Sequence, residues 1–414
     1  MKKRMGLLRL LGLMGVLSIQ ALSPMNPIQA QDSARLALRV DNLHFFVENN
    51  YSGSRLDGYT LPGFVLRPRV VWQMEPKVHV EAGVHWLHYW GAASYPANRS
   101  LEVWNPVSDT TARIHMIPWL QARIQFTPWL NLVMGSLDNN RCHRLPTPLY
   151  NPERVFAADP EAGIQLMVDH RAVQADVWVD WREFIWNHSP QQERFTLGFS
   201  TRARLHPADS WELFVPLHAV ITHRGGEGVT DSTLDMHSLF NAAAGVGLEH
   251  HTTDLSLATE VYVMGYLNPD GQTGSPTYTL YPGDPEPYMT SSPIDFKQGW
   301  GLYGLLRADW QNTTFEASYW SSERFVPLLG SYHYANLSMN TSDMTYDRIR
   351  VLVFRGRHEW HCFQRCTPAI EATIYHHFPS TGDRTGYKKV HSRSADMLSL
   401  GIYFHLHPSF SLDR

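Results

Sequence analysis

Residues 111–137, TARIHMIPWLQARIQFTPWLNLVMGSL, decide the fold. Alternate positions Arg113, His115, Trp119, Gln121, Arg123 and Gln125 are mostly polar, while Ile114, Met116, Pro118, Leu120, Ala122, Ile124 and Phe126 are apolar. A β-strand sends successive side chains to opposite faces, so this period of two gives one polar and one greasy face. Thr127-Pro128-Trp129 interrupts the pattern, which resumes at Leu130, Leu132 and Met134 as across a tight hairpin. Strands of globular sheets run ~5–6 residues, and a tilted strand that crosses a bilayer needs ~9–11. This hairpin has the longer kind.

The unit recurs along the chain, giving sixteen expected strands from Val40–Glu48 to Met397–Leu406. Their connections alternate between short turns and long loops, with 139–160 and the Pro/Gly-rich 268–298 among the longest. An even number of antiparallel strands closes without a free edge, which a membrane requires because no water is there to pair exposed backbone. The fold class expected is therefore all-β: a transmembrane up-and-down barrel of about 16 strands, with short periplasmic turns and long extracellular loops. A secreted β-sandwich also alternates. It gives no reason for the short/long rhythm, nor for tryptophans at strand ends. Trp72, Trp129, Trp211, Trp310 and Trp360 flank short turns, and Trp90, Trp186, Trp300 and Trp320 flank long loops, as in two interfacial belts. Pro62, Pro68, Pro118 and Pro216 fall inside strands, where a closed barrel predicts a bulge or a strand end.

Residues 1–30 read as a cleaved export signal: Lys2, Lys3, Arg4 and Arg9, then an apolar core over 7–17, then a small residue, Ala30. The domain that remains is 31–414. Without those four basic residues the 35 Lys+Arg become 31 against 39 Asp+Glu, a balance that argues against nucleic acid as a partner. No later apolar run reaches the ~18–20 residues of a membrane helix. Of the three cysteines, Cys362 and Cys366 flank a tight turn and suit a hairpin-closing disulfide, and Cys142 is an odd loop thiol. Adjacent Cys142 and His143 make a weak metal site. The neighbouring pairs His250/His251 and His376/His377 point to opposite strand faces and cannot chelate together. No metal and no cofactor is expected.

The final strand carries Ser399, Gly401, Phe404 and Leu406, which resembles the assembly signal of Gram-negative outer-membrane β-barrels, porins in particular, although the chain runs on through His407 to Arg414. The resemblance implies location in the cell outer membrane, contact with its lipids including lipopolysaccharide, a possible homo-oligomer, and passive diffusion of small polar solutes through a charged lumen. The face opposite the apolar band supplies candidate pore-lining residues: Arg67, Arg69, Lys77, Glu81, Arg113, Arg123, Asp176, Asp180, Arg202, Arg204, Glu260, Arg307 and Asp309. Arg67, Arg69, Arg113 and Arg123 form an expected basic wall, and either long loop is placed to fold inward over it. Fewer than ten residues separate Gln31 from the first strand, too few for an N-terminal plug. The competing expectations are a barrel enzyme, such as a lipid-modifying hydrolase or a protease, and a surface adhesin or scaffold with a blocked lumen. An enzyme needs a catalytic constellation at the extracellular rim. His223, Asp231, Asp235 and His237 come nearest, without a nucleophile motif.

Overall fold

A computed structural model describes residues 35–51, 55–56, 58–91, 115–139, 142–184, 193–207, 210–225, 236–269, 296–338, 344–361, 363–384 and 389–412. The expected leader and Arg113 lie outside them. The strands, in chain order, are β1 (Leu36–Asn50), β2 (Tyr59–Glu75), β3 (Val78–Tyr89), β4 (His115–Thr127), β5 (Leu130–Ser136), β6 (Ala162–His170), β7 (Val173–Glu183), β8 (Arg194–Pro207), β9 (Trp211–Arg224) and β10 (His237–His251). They continue with β11 (Leu255–Leu267), β12 (Gln298–Trp310), β13 (Thr313–Glu323), β14 (Met344–Tyr346), β15 (Arg348–Glu359), β16 (Cys366–His377), β17 (Ser380–Arg384), β18 (Val390–Ser392), β19 (Ala395–Leu406) and β20 (Ser409–Ser411). Each barrel strand pairs antiparallel with its neighbour in sequence, and β19 returns to pair with β1, Asn50 opposite Leu398 and Asn42 opposite Leu406. The result is a closed up-and-down barrel of sixteen strands. The three short strands β14, β17 and β18 form a separate sheet.

Two local features answer the sequence. β20 extends the last strand in the same register past His407-Pro408, Ala37 facing Ser411, so the tail beyond Leu406 is barrel wall. Pro62 and Pro118 lie near the starts of β2 and β4, whereas Pro68 and Pro216 sit at neither of the expected places. Leu66 pairs with Trp86 and Arg69 with Gly83, so the β2–β3 ladder loses its rungs at Arg67-Pro68 with no change of register. The β9–β10 ladder likewise runs from Leu217–Ala244 to Phe214–Gly247 across Pro216. The missing donor removes hydrogen bonds locally, and the flanking pairs hold the strands in line.

Outside, Val70, Leu120, Val177, Leu217, Val261, Leu306 and Ile402 lie exposed in a band, which in water would be an unusually large apolar surface and in a bilayer is solvated by lipid. Trp72, Trp129, Trp211, Trp310 and Trp360 are exposed by the short turns, and Trp90 and Trp300 by the long loops. Trp320 departs from the expected belt: it points inward and is 0% exposed. Trp186 lies outside the described residues.

A packed apolar interior lies near the long loops. Leu145, Leu149 and Tyr150 of the β5–β6 loop and Phe325, Val326, Leu329 and Tyr334 of the β13–β14 loop pack together against wall residues such as Trp178, Tyr262 and Trp320. Tyr150 and Leu329 form a parallel bridge, with the Asn151 N–H donating to Leu329 O at 2.8 Å. Asn241 of β10 pins the second loop, its amide donating to Val326 O (3.0 Å) and accepting from the Leu328 N–H (2.9 Å). One of the two loops expected to fold inward therefore does so, joined by a loop that alternation alone does not reveal. Most of 268–298 lies outside the described residues.

Candidate functional site

The inner-face charges are arranged as ion pairs. Arg67 and Arg69 reach Asp41 at 3.8 and 3.9 Å, Arg69 meets Glu81 at 2.8 Å, and both guanidinium groups lie over the Trp119 ring. Arg123 pairs with Asp138 at 2.6 Å. Each described member of the expected basic wall thus has a carboxylate or an aromatic face against it. Arg202 bridges Glu212 and Glu249, Arg204 joins Glu212 at 3.0 Å, and Arg307 lies 2.8 Å from Asp309. Glu260 accepts the Tyr262 hydroxyl, and Asp180 accepts from the Ala162 N–H and pairs with Arg182 at 2.5 Å. Lys77 is exposed in the Pro76-Lys77 turn, because the strand begins only at Val78. Cys366 opens β16, while its expected disulfide partner Cys362 lies outside the described residues, as do Asp231 and Asp235. His223 is used locally, by Ser238 Oγ and Gly225 O.

The β5–β6 loop carries two unexpected centres. The first is His143, at φ 52° and 2% exposed, stacked on Trp178 at 3.7 Å. Its Nε2 lies 2.5 Å from Glu161 and its Nδ1 2.9 Å from Asp176. Both nitrogens must carry hydrogen to bond two carboxylates, so the ring is an imidazolium. Burial opposes that charge, but the Glu161 and Asp176 carboxylates outweigh it and push the ring up to about 9. Glu161, opposed by its own burial and favoured by His143 and Arg154, is held down to about 2. Ser200 Oγ donates to His143 O at 2.6 Å, which fixes the loop to β8. This centre is a clamp with no ring nitrogen left for chemistry. Beside it, burial pushes the Cys142 thiol up to about 11, so it stays protonated.

The second centre is Glu153, on a cavity of about 360 Å³ inside the barrel. Tyr59 donates its hydroxyl to Glu153 Oε2 at 2.5 Å and Asn49 its amide to Oε1 at 3.0 Å; Tyr51 in turn donates to Asn49 Oδ1 at 3.0 Å. Among the described residues no cation pairs with this carboxylate. Burial pushes it above the ordinary range, only partly offset by the two donors. The same lining carries Arg355, shared between Glu316 (3.2 Å) and Glu371 (2.7 Å), together with Arg357, Tyr375 and His333. Among the described residues no group of three metal-ligating side chains occurs. A carboxylate of raised affinity for protons, held by hydroxyl and amide donors on an internal cavity, is equipped for general acid–base chemistry. Asn49, Tyr59 and Glu153 escape sequence reading because about a hundred residues separate the loop from β1 and β2. The polar run Asn49-Asn50-Tyr51 at a strand end is the one local signal.

Closure, the lipid-facing band and the tryptophan belts define an outer-membrane β-barrel. The chain belongs to the lipid A 3'-O-deacylase-type family, whose sequence profile matches residues 28–280 and 286–414. No curated protein is significantly similar in sequence. Similar solved structures include OccAB3 of Acinetobacter baumannii, 10% identical with a TM-score of 0.48 over 91% of this chain and 99% of that one. OccK8 (OprE) of Pseudomonas aeruginosa is 13% identical, with a TM-score of 0.46 over 91% and 98%. A loop-deletion mutant of OmpT, an outer membrane protein of Vibrio cholerae, is 7% identical, with a TM-score of 0.46 over 90% and 100%.

Proposed function

We propose that this protein is an outer-membrane ester hydrolase that removes an acyl chain from the lipid A part of lipopolysaccharide, with Glu153 as its general base. One observation carries the reading: inside a barrel stoppered by two of its own loops, an unpaired carboxylate with raised proton affinity lies on a cavity with hydroxyl and amide donors around it. Membership of the lipid A 3'-O-deacylase-type family supports the substrate class.

In the reaction, Glu153 takes a proton from water as the water oxygen attacks the ester carbonyl carbon, and the carbonyl π pair moves onto oxygen. Collapse of the tetrahedral intermediate expels the sugar alkoxide, which recovers the proton from Glu153. The products are a fatty acid and a free hydroxyl. General-base catalysis contributes ~10²–10⁴-fold, so Glu153→Gln should cut acyl release by about that factor. The test is mass spectrometry of lipid A after incubation with refolded protein. Loss of one ester-linked acyl chain, abolished in E153Q, supports the reading; intact lipid A with heat-modifiable, correctly folded protein overturns it.

A second reading, a channel for small polar solutes, rests on the half-buried Arg–carboxylate pairs from β8 to β15, which a water-filled lumen would solvate. Stable conductance steps of the wild-type protein in a planar bilayer would favour it.

A further inference from the structure

Two hydrogen bonds behind His333, which lines the Glu153 cavity, the protein buries a cation that no carboxylate among the described residues pairs with. Arg55, in the loop after β1, is 5% exposed. Its Nη2 donates to Ala335 O at 2.6 Å, its Nη1 lies 3.1 Å from His377 Nδ1, its plane covers the Tyr346 ring, and its Nε has no partner. Among the described residues no carboxylate pairs with it. Burial lowers its proton affinity only to about 10, so it remains charged at neutral pH.

Arginine has five donors and no acceptor, so its bond to His377 has one possible direction. His377 Nδ1 accepts, and the hydrogen of a neutral His377 ring must then sit on Nε2. That nitrogen lies 3.1 Å from His333 Nδ1, which must therefore accept in turn. The hydrogen of a neutral His333 is left on Nε2. His333 lines the same cavity as Glu153, held flat on Tyr375 at 3.6 Å and touched edge-on by Tyr51 at 4.6 Å. Burial and the neighbouring Arg55 keep its ring neutral, well below its ordinary range. The chain of bonds thus turns a remote cation into a single oriented N–H on the wall of the cavity, polarised from behind.

We propose that His333, through Nε2–H, stabilises the oxyanion of the ester-cleavage intermediate, and that Arg55 and His377 are positioning residues that fix its tautomer and polarise it. This rests on the hydrolase reading above. The base and the donor then arrive from different loops, Glu153 from β5–β6 and His333 from β13–β14, so the site exists only while both loops are docked. Removing one preorganised donor from an oxyanion site typically costs ~10²–10³ in kcat.

The experiment is acyl-release kinetics on lipopolysaccharide micelles with wild type, E153Q, His333→Phe, His333→Gln and Arg55→Met, alongside ¹⁵N NMR of the histidine rings. His333→Phe keeps the stack on Tyr375 and should lose about 10²–10³ in kcat with KM within a few-fold. His333→Gln, which restores an N–H, should recover at least part of that loss. The wild-type His333 ring should stay in the neutral Nε2–H tautomer at pH values that protonate an ordinary imidazole, and R55M should release that lock. If E153Q abolishes acyl release while H333F leaves kcat unchanged, the donor assignment fails and the hydrolase reading survives. If wild type releases no acyl chain, both fall. A His333 ring found as the Nδ1–H tautomer overturns the donor assignment whatever the kinetics.

Discussion

The clamp at His143 offers a stability test with a worked magnitude. Folding moves this ring from 6.5 to about 9. At 1.36 kcal/mol per unit, that is about 3 kcal/mol favouring the docked loop, in line with the ~3–5 kcal/mol cost of breaking a buried pair by removing one partner. Because the docked ring holds its proton more tightly, the contribution is complete below pH 6.5, declines between 6.5 and 9, and is absent above. The acid limb has the opposite sign: Glu161, held down to about 2 from 4.5, contributes above pH 4.5 and is lost as pH falls through 2. His143→Gln should therefore raise local opening of residues 142–156 about a hundredfold at pH 6 and far less at pH 9.5, where wild type has itself lost the imidazolium. Hydrogen exchange of these amides in detergent micelles, corrected for the intrinsic rate, gives the comparison. A difference between variant and wild type that does not shrink with pH would refute the charge argument and leave only lost packing.

Other variants probe the wall, the plug and the membrane face. A Cβ on Gly198 would lie 2.0 Å from the Trp178 ring that stacks on His143, so Gly198→Ala should displace the indole at a cost of about 1–3 kcal/mol and loosen the same loop by exchange. Val261, 54% exposed near the middle of β11, should tolerate Arg poorly, with unfolding in lipid vesicles showing a loss of about 2–4 kcal/mol; no loss would mean that this face is not in hydrocarbon. Asn241→Leu leaves the Val326 carbonyl and the Leu328 N–H without their side-chain partner, costing about 1–3 kcal/mol at the second loop, and in a planar bilayer it should give transient openings that wild type lacks.

The barrel was readable because its signal is local. Each strand declares itself by alternation, and closure follows from an even count with short and long connections. Trp320 departs from the expected belt although the sequence holds the correction: Glu316 and Ser318 put even-numbered β13 positions inside, so parity outranks position along the strand. The two inward loops also left a trace, since Leu145, Leu149 and Tyr150, and Phe325, Val326, Leu328 and Leu329, are too apolar for segments bathed in water. What no local pattern carries is pairing. Arg67 and Arg69 look like a basic wall until register sets Asp41 and Glu81 against them, and Glu153 looks like one more loop carboxylate until the chain returns it to Asn49 and Tyr59.

That contrast separates structural charge from functional charge. The Arg202, Arg307 and Arg355 sites each set guanidinium against carboxylate, so the cost of leaving water is offset where it arises. Glu153 and Arg55 do not follow this rule. Each is held by neutral groups, and among the described residues Asn49, Tyr51, His333 and His377 lead from one to the other. On the proposed hydrolase reading, this arrangement sets the base Glu153 and the donor His333 on one cavity, which is what an ester carbonyl under attack by water requires.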